Sequence, residues 1–189
     1  MSEDDPPAAS AAGRTQSLAT LGIAVFLCAL VVWIFRQDVT YFLQNPEPLD
    51  LGVIGETDAA RPIDNRYARV GGIADPRIKF AESGGKMYRY FILLGSKILV
   101  QQRTASATTG GEPRPFRYRG EGRLMKLSDL FKYDMLLAHF KTSLGLDLKD
   151  EGFLLVEGEK PKDALLYFAV VCASILAVVA AFVRHLARF

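Results

Sequence analysis

Two long runs without a charged residue dominate the hydrophobic pattern of this chain. Residues Thr15–Phe35 and Ala164–Val183 contain no Asp, Glu, Lys or Arg, and charged residues bound each run. At a rise of 1.5 Å per residue, about 20 helical residues cover the roughly 30 Å hydrocarbon core of a bilayer. We therefore predict two transmembrane helices, over residues 15–36 and 164–183.

The first apolar run is predicted to be an uncleaved anchor. It is longer than the ~7–15 apolar residues of a signal peptide, and no small-x-small cleavage site follows Trp33. The leader carries Glu3, Asp4 and Asp5 before its first cation. We expect residues 1–14 to be a disordered acidic tail and residues 184–189 to be a short basic tail.

Small residues recur every four positions in both predicted helices. They are Thr20, Ala24 and Cys28 in the first helix, and Ala169, Ala173, Ala177 and Ala181 in the second. Such ridges let helix backbones approach closely in lipid. They could join the two helices of this chain or receive a helix of another subunit. The plainer alternative is that alanine is common in membrane helices, and we interpret Cys28 and Cys172 as small apolar filler.

The residues between the helices, 37–163, predict one β-rich extramembrane domain. Its clearest feature is a pair of β-rich runs on either side of Gly95–Ser96, which is typical of a type II′ hairpin. Further strands are expected at 67–74, 77–81, 116–127 and 153–157, with loops over 49–64 and 104–115.

One helix is predicted within this domain, over about 129–144. Ser128 is a favourable N-cap, Gly145 is a favourable stop, and an apolar stripe runs from Leu130 to Leu144. The predicted fold class is therefore a membrane protein in which two transmembrane α-helices flank one mainly-β (α+β) domain. A small OB-like barrel or a β-sandwich with one packed helix fits the order of elements.

Composition and motifs give no support for an enzyme or a metal site. The 189 residues carry 23 basic and 21 acidic side chains, so the net charge of +2 does not argue for nucleic acid. The domain contains a single histidine, His139, and no cysteine, which leaves no set of zinc or haem ligands. The segment Gly120–Met125 begins like a dinucleotide fingerprint but lacks its third glycine. We expect no catalytic residue and no cofactor.

One strand carries a charge pattern that could have a function. It contains Arg114, Arg117, Arg119, Arg123 and Lys126, with Phe116 and Tyr118 between them. Arginine alternating with aromatic residues can bind phosphate groups, so this pattern indicates a face for anionic lipid headgroups or an acidic partner. The alternative is a strand with one face to water.

The charges near the helices bear on orientation. Arg14, Arg184 and Arg188 favour both termini on the cytoplasmic side, or on the matrix side in a mitochondrion, whereas Lys160 and Lys162 favour the opposite. We expect an inner membrane of a bacterium or a mitochondrion, with the domain outside the cytoplasm.

The layout of two spans around one domain resembles the two-span oxidase-assembly factors of respiratory membranes. A second resemblance, to membrane-anchored OB-fold haem chaperones, lies in the segment RQDVTYFLQNP after the first span and in Arg69–Gly72. The tryptophan motifs of the first family are missing. The histidine-tyrosine pair of the second is missing too, because Ser143 and Phe189 stand four residues after the two histidines. We assign the chain to neither family.

The function expected from the sequence is non-enzymatic. We expect the domain to dock other membrane-protein subunits, as an assembly factor or an accessory subunit of a membrane complex. The alternative is a membrane-anchored module that senses or handles a lipid or small ligand.

Overall fold

The computed structural model describes residues 9–54, 62–105 and 114–187, with side chains from residue 20 onward. The chain divides into two compact units. The helical unit comprises residues up to Val39 together with those from Ala164, and the β unit comprises Thr40–Asp163. Of the predicted tail over residues 1–14, the first eight residues lie outside the described part of the chain, and residues 9–14 are helical.

The helical unit consists of two long helices. Helix α1 spans Ala9–Phe42, and α3 spans Leu165–Leu186 after a short 3-10 turn at Pro161–Ala164. Helix α1 begins before the predicted start at residue 15 and continues beyond residue 36, with Gly13 and Gly22 inside it. It ends at Phe42, ahead of Pro46, which cannot continue a helix.

Side chains of α1 and α3 meet at two levels. Cys28 Sγ lies 3.8 Å from Ser174 Oγ, and the rings of Phe35 and Tyr167 stack with centroids 5.4 Å apart. Moving from Cys28 to Phe35 along α1 corresponds to moving backward along α3, so the two helices run antiparallel. Both are long and apolar enough to cross a membrane, and almost none of their residues is buried.

The β unit contains a mixed seven-stranded sheet with the order β1-β2-β6-β7-β5-β4-β3. Its strands are β1 Leu49–Val53, β2 Arg66–Ala74, β3 Lys79–Ser83, β4 Lys86–Ile92, β5 Ile98–Thr104, β6 Phe116–Lys126 and β7 Phe153–Glu157. The prediction of a loop over residues 49–64 is wrong at its start, where β1 pairs with β2. The pairs β1–β2 and β5–β7 are parallel, and the other neighbours are antiparallel. Together with the three helices this makes an α+β chain.

The sheet curves until β2 and β4 meet at their carboxyl ends. Ala74 and Leu93 form an isolated antiparallel bridge, and the N–H of Asp75 donates to the carbonyl of Ile92 at 2.8 Å. Strands β2, β6, β7, β5 and β4 are therefore linked in a ring. Leu51 of β1 and Phe91 of β4 pack in the same buried cluster although their strands are far apart in the sheet.

Strand alternation divides the core between the two faces of the sheet. The inner face holds one cluster, with Leu51, Val70, Phe91, Leu93, Ile98, Val100, Leu124 and Leu155 among its members. The outer face holds a second cluster, in which Leu99 and Leu154 of the sheet pack with Leu137 and Phe140 of helix α2.

Helix α2 spans Asp134–Leu144 and is shorter than predicted. The residues before it form two 3-10 turns, Leu127–Asp129 and Phe131–Tyr133. Ser128 caps no backbone N–H, because its hydroxyl bonds to the Asp129 side chain at 2.9 Å. The predicted stop at Gly145 is confirmed: it has φ 68°, and its N–H donates to the carbonyl of Lys141 at 2.9 Å.

The predicted hairpin β4–β5 is present, but its turn is not the two-residue type II′ turn. The N–H of Ser96 donates to the carbonyl of Leu93 at 3.1 Å, so Gly95, with φ 78°, is the third residue of this turn. A type II′ turn would need glycine at the second position. The Ser96 hydroxyl contacts both the Leu93 carbonyl and the Ile98 N–H, which stabilises the wider loop.

Candidate functional site

His139 is the histidine of the domain that could serve as a metal or haem ligand. His139 is exposed on α2, and its ring packs edge-on against Phe140 with centroids 5.7 Å apart. Among these residues, no three side chains of the His, Cys, Asp and Glu types lie close enough to hold a metal ion. His139 is therefore a surface residue of the helix.

The glycines of the Gly120–Met125 segment serve the sheet rather than a phosphate loop. This segment lies inside β6, and Gly122 pairs with Glu157 of β7. A Cβ atom on Gly122 would lie 2.0 Å from the backbone oxygen of Val156. The residue is glycine because β7 approaches β6 this closely.

The five predicted cations do not form one continuous face. Arg117 and Arg119 are exposed on the outer face of β6, and neither makes an ion pair with another described residue. Arg123 is only 5 % exposed. Lys126 is half-buried, with its N–H donating to Asp64 Oδ1 at 2.7 Å, and Arg114 lies before the strand begins.

Arg123 is the centre of a buried polar network within the β unit. Its Nη1 donates to Glu159 Oε1 at 3.0 Å, and its Nε donates to Asn65 Oδ1 at 2.9 Å. The guanidinium also lies 4.5 Å from the centroid of the Tyr41 ring, whose hydroxyl donates to the Glu159 carbonyl at 2.7 Å. Arg123 therefore joins β6 to residues near both ends of the unit and is not available to a ligand.

A second ion-pair group surrounds Glu121, which lies two residues before Arg123 in β6 and on the same outer face of the sheet. Its carboxylate accepts from the Tyr67 hydroxyl at 2.8 Å and from Arg69 Nη2 at 3.0 Å. The hydrogen bond from Tyr67, and to a lesser extent the one from Arg69, lowers the pKa of Glu121. Burial, and then the bond to Glu121, raises the pKa of Tyr67 to about 12. The negative charge of Glu121 is therefore neutralised by Arg69 and held in place by the two hydrogen bonds.

A polar cluster also lies on the inner face of the sheet, and no motif in the sequence predicts it. Tyr118 Oη and Glu157 Oε2 are buried without a hydrogen-bond partner among the described residues. Both side chains border Gly120: a Cβ there would lie 2.0 Å from Tyr118 Oη and 3.2 Å from Glu157 Oε1. Burial raises the pKa of Glu157, whereas nearby Arg89 and a hydrogen bond from Gln102 act in the opposite direction.

An exposed apolar pair, which we call the α2 patch, consists of Phe131 in the 3-10 turn before α2 and Met135 in the first turn of α2. Phe131 is 80 % exposed and Met135 is 89 % exposed, the two highest values among the large hydrophobic residues described. They are four residues apart on consecutive helical turns, and charged Lys132 and Asp134 lie between them in sequence and are exposed. The sequence pattern missed this pair because neither residue belongs to the stripe that packs on the sheet.

The four alanines of the predicted α3 ridge are accessible on the helix surface. Ala169, Ala173, Ala177 and Ala181 are all exposed. In α1, Thr20 is exposed, whereas Ala24 and Cys28 are half-buried, and Cys28 contacts Ser174. Whether the α3 ridge packs on α1 or on a helix of another subunit stays a prediction.

Comparison with known proteins identifies no relative: no protein-family model matches the chain, and no curated protein or solved structure is significantly similar to it. The case for a function therefore depends on the geometry described above.

Proposed function

We propose that this chain is a two-span membrane protein whose β unit docks other protein subunits, as an assembly factor or an accessory subunit of a membrane complex. In this proposal α1 and α3 cross the bilayer. Both termini lie on the cytoplasmic or matrix side, and the β unit lies on the other side of a bacterial or mitochondrial inner membrane. The ring of β2, β6, β7, β5 and β4 supports the description of the β unit as a small barrel related to the OB type.

The observation that carries the docking proposal is the α2 patch. Leaving a phenylalanine and a methionine almost fully in water is unfavourable, since burial of each such side chain is worth about 1.5–3 kcal/mol. Aromatic residues and methionine are enriched in protein interfaces, and methionine adapts readily to a partner's shape. Exposed charges of both signs, Lys132 and Asp134, border the pair as the polar rim of such an interface does. The occupant we propose is a protein subunit.

The alanine ridge of α3 supports the same function within the membrane. Its four alanines are exposed and spaced one helical turn apart, so a second helix can approach the α3 backbone closely. The α3 ridge is therefore a surface of the helical unit to which a transmembrane helix of a partner subunit can bind.

The test is quantitative co-purification of the full chain from its native membrane in mild detergent, with the associated proteins identified by mass spectrometry. We expect a stoichiometric partner with the parent chain. We expect its yield to fall at least about tenfold in the variant Phe131→Ser/Met135→Ser, which corresponds to a loss of roughly 1.4 kcal/mol.

A matched control replaces two exposed aliphatic residues away from the α2 patch, Ile63→Ser/Leu146→Ser. The control should retain the partner at the parental yield. The proposal is wrong if the parent chain is recovered alone and monomeric, or if both double variants lose the partner equally.

A further inference from the structure

A second surface of the β unit combines exposed aliphatic residues with arginines. Ile73 of β2 pairs directly with Arg117 of β6, and Gly71 pairs with Arg119. Residues opposite each other in adjacent strands project to the same side of the sheet. Ile73 and Arg117 are therefore neighbours on the outer face, and Arg119 lies across from a residue without a side chain.

Val53 and Leu94 extend this surface on both sides. Val53 Cγ2 would lie 3.4 Å from a Cβ atom on Gly71, so Val53 covers the space beside Arg119. The N–H of Leu94 donates to the carbonyl of Ile73 at 2.8 Å, which places Leu94 next to Ile73. Ile73, Val53 and Leu94 are between 42 % and 49 % exposed. We call these three residues with Arg117 and Arg119 the β2–β6 face.

The positive charge of this face is not neutralised by the described residues. Neither Arg117 nor Arg119 has an ion-pair partner among them. Glu121 is the acidic residue that follows on the same side of β6, and it is already bonded to Tyr67 and Arg69, with Lys160 Nζ 3.9 Å away. The face therefore presents two guanidinium groups beside three aliphatic side chains.

We propose that the β2–β6 face binds the surface of a bilayer that contains anionic phospholipid. A guanidinium bonds a phosphate group through two N–H donors, and an aliphatic side chain gains free energy when it enters the interfacial region of the bilayer. The negative surface potential of an anionic leaflet also attracts cations that lie near it. The surface is distinct from the α2 patch, so this inference does not depend on the docking function.

The chemistry of the face favours lipid over an acidic protein. Binding energy at protein interfaces concentrates on Trp, Tyr and Arg, whereas Val and Leu are under-represented among those positions. The β2–β6 face has arginines but contains no aromatic residue. Its aliphatic side chains are suited to a fluid apolar phase, which needs no shaped pocket.

The test uses the full chain in nanodiscs, with Leu94→Cys as the only thiol after Cys28→Ala and Cys172→Ala. An environment-sensitive dye on that thiol is quenched with acrylamide, in discs of phosphatidylcholine alone and in discs of phosphatidylcholine with an equal share of phosphatidylglycerol. We expect quenching to fall at least about twofold in the anionic discs, and this fall to diminish at high salt.

Charge reversal separates this face from a general effect of net charge. Arg117→Glu/Arg119→Glu should remove the difference between the two lipid compositions. Lys86→Glu/Arg103→Glu changes the charge equally at two other exposed cations and should preserve the difference. A milder variant, Arg117→Gln/Arg119→Gln, should reduce the difference in quenching between the two lipid compositions. It replaces the charge-reversed variant if that variant fails to fold.

Three results would overturn the inference. The first is equal quenching in both kinds of disc, and the second is a lipid effect that survives Arg117→Glu/Arg119→Glu. The third is a loss of the lipid effect in both charge-reversed variants. If Arg117→Glu/Arg119→Glu instead abolished co-purification of an acidic protein from the native membrane, the face would belong to that protein and not to lipid. The variant Phe131→Ser/Met135→Ser should leave the lipid effect unchanged, so failure of the docking proposal would be recognised separately.

Discussion

At the scale of single residues, two carboxylates of the β unit have opposite environments. Asp75 is buried at the end of β2 and accepts hydrogen bonds from Arg77 Nε at 2.9 Å and Arg77 Nη2 at 2.7 Å. Glu157 is half-buried at the end of β7, and its Oε2 has no hydrogen-bond partner in the described part of the chain. The hydrogen bond from Arg77 lowers the pKa of Asp75, whereas burial raises the pKa of Glu157.

Replacing Asp75 should destabilise the folded chain in a pH-dependent way. Because its pKa is lower in the folded state, its carboxylate stabilises the fold above the unfolded pKa of about 3.8, and this is lost as the pH falls through the lower folded value. We expect Asp75→Asn to lower the free energy of unfolding by about 1–2 kcal/mol at neutral pH, with a shrinking difference in acid. Denaturant unfolding of the detergent-solubilised chain at several pH values measures this.

The matched control for this prediction is Asp147→Asn, in which the replaced carboxylate pairs with Lys141 on the surface. Exposed ion pairs contribute little to stability, so the control should change the free energy of unfolding much less than Asp75→Asn does. If both substitutions lowered the free energy of unfolding equally, the burial of Asp75 would not be the cause of its effect.

Replacing Glu157 should have the opposite sign. A folded-state pKa above the unfolded one means that stability is complete below the unfolded pKa and is lost as the pH rises through the folded value. Glu157→Gln removes the buried charge, so we expect a higher melting temperature than the parent at neutral pH and no advantage in acid. A lower melting temperature at neutral pH would show instead that the attraction to Arg89 outweighs the burial of the charge.

At the scale of elements, the pairing of β6 with β7 depends on a missing side chain. Gly122 lies opposite Glu157, and its Cα faces the Val156 backbone oxygen so closely that no Cβ fits. The two strands carry buried residues of both clusters, Leu124 and Leu155 on the inner face and Leu154 on the outer face. A displacement of this pair would therefore disturb packing on both sides of the sheet.

Gly122→Ala should accordingly destabilise the β unit by about 3 kcal/mol or more, since the backbone of β7 must move. Gly71→Ala is the control, because its Cβ would meet its nearest neighbour, Val53 Cγ2, at 3.4 Å, an ordinary contact. We expect the control to change the free energy of unfolding by less than about 1 kcal/mol. Denaturant unfolding followed by near-ultraviolet circular dichroism compares the two, and similar losses would contradict the strand-approach explanation.

At the scale of the whole molecule, the β unit contains its own core. Every member of the two buried clusters lies between Leu49 and Val156. Tyr41, which is fully buried, and Gln44 add contacts from the last turn of α1 and the residues after it: Gln44 Oε1 accepts the N–H of Tyr67 at 3.3 Å. A unit with a separate core is expected to fold without the rest of its chain.

We therefore expect residues 40–163, expressed alone, to unfold cooperatively on heating. A shorter version, residues 49–163, lacks Tyr41 and leaves Arg123 without the aromatic ring that covers it. It should melt at a lower temperature, since removal of a buried aromatic side chain costs about 3–5 kcal/mol. Calorimetry of the two fragments tests this, and failure of residues 40–163 to show a cooperative transition would contradict it.

Much of the organisation could be predicted from local pattern alone. The two charge-free runs predicted both long helices, and Gly145 predicted the end of α2. The hairpin around Gly95 was predicted correctly except for its turn type, because the hydroxyl of Ser96 bonds across the loop. The start of α2 was predicted too early, because Ser128 bonds to a neighbouring side chain rather than to the backbone.

By itself the sequence determined what depends on neighbours along the chain: apolar helices long enough for a bilayer, strands of alternating pattern, and the positions of the arginines. Only the tertiary structure decided which of those arginines is buried, and that the side chains of Glu157 and Tyr118 both lie beside Gly120. The physical reason is strand register. A pair such as Arg123 and Glu159, or Ile73 and Arg117, is set by which distant strands lie side by side, and no local periodicity contains that information.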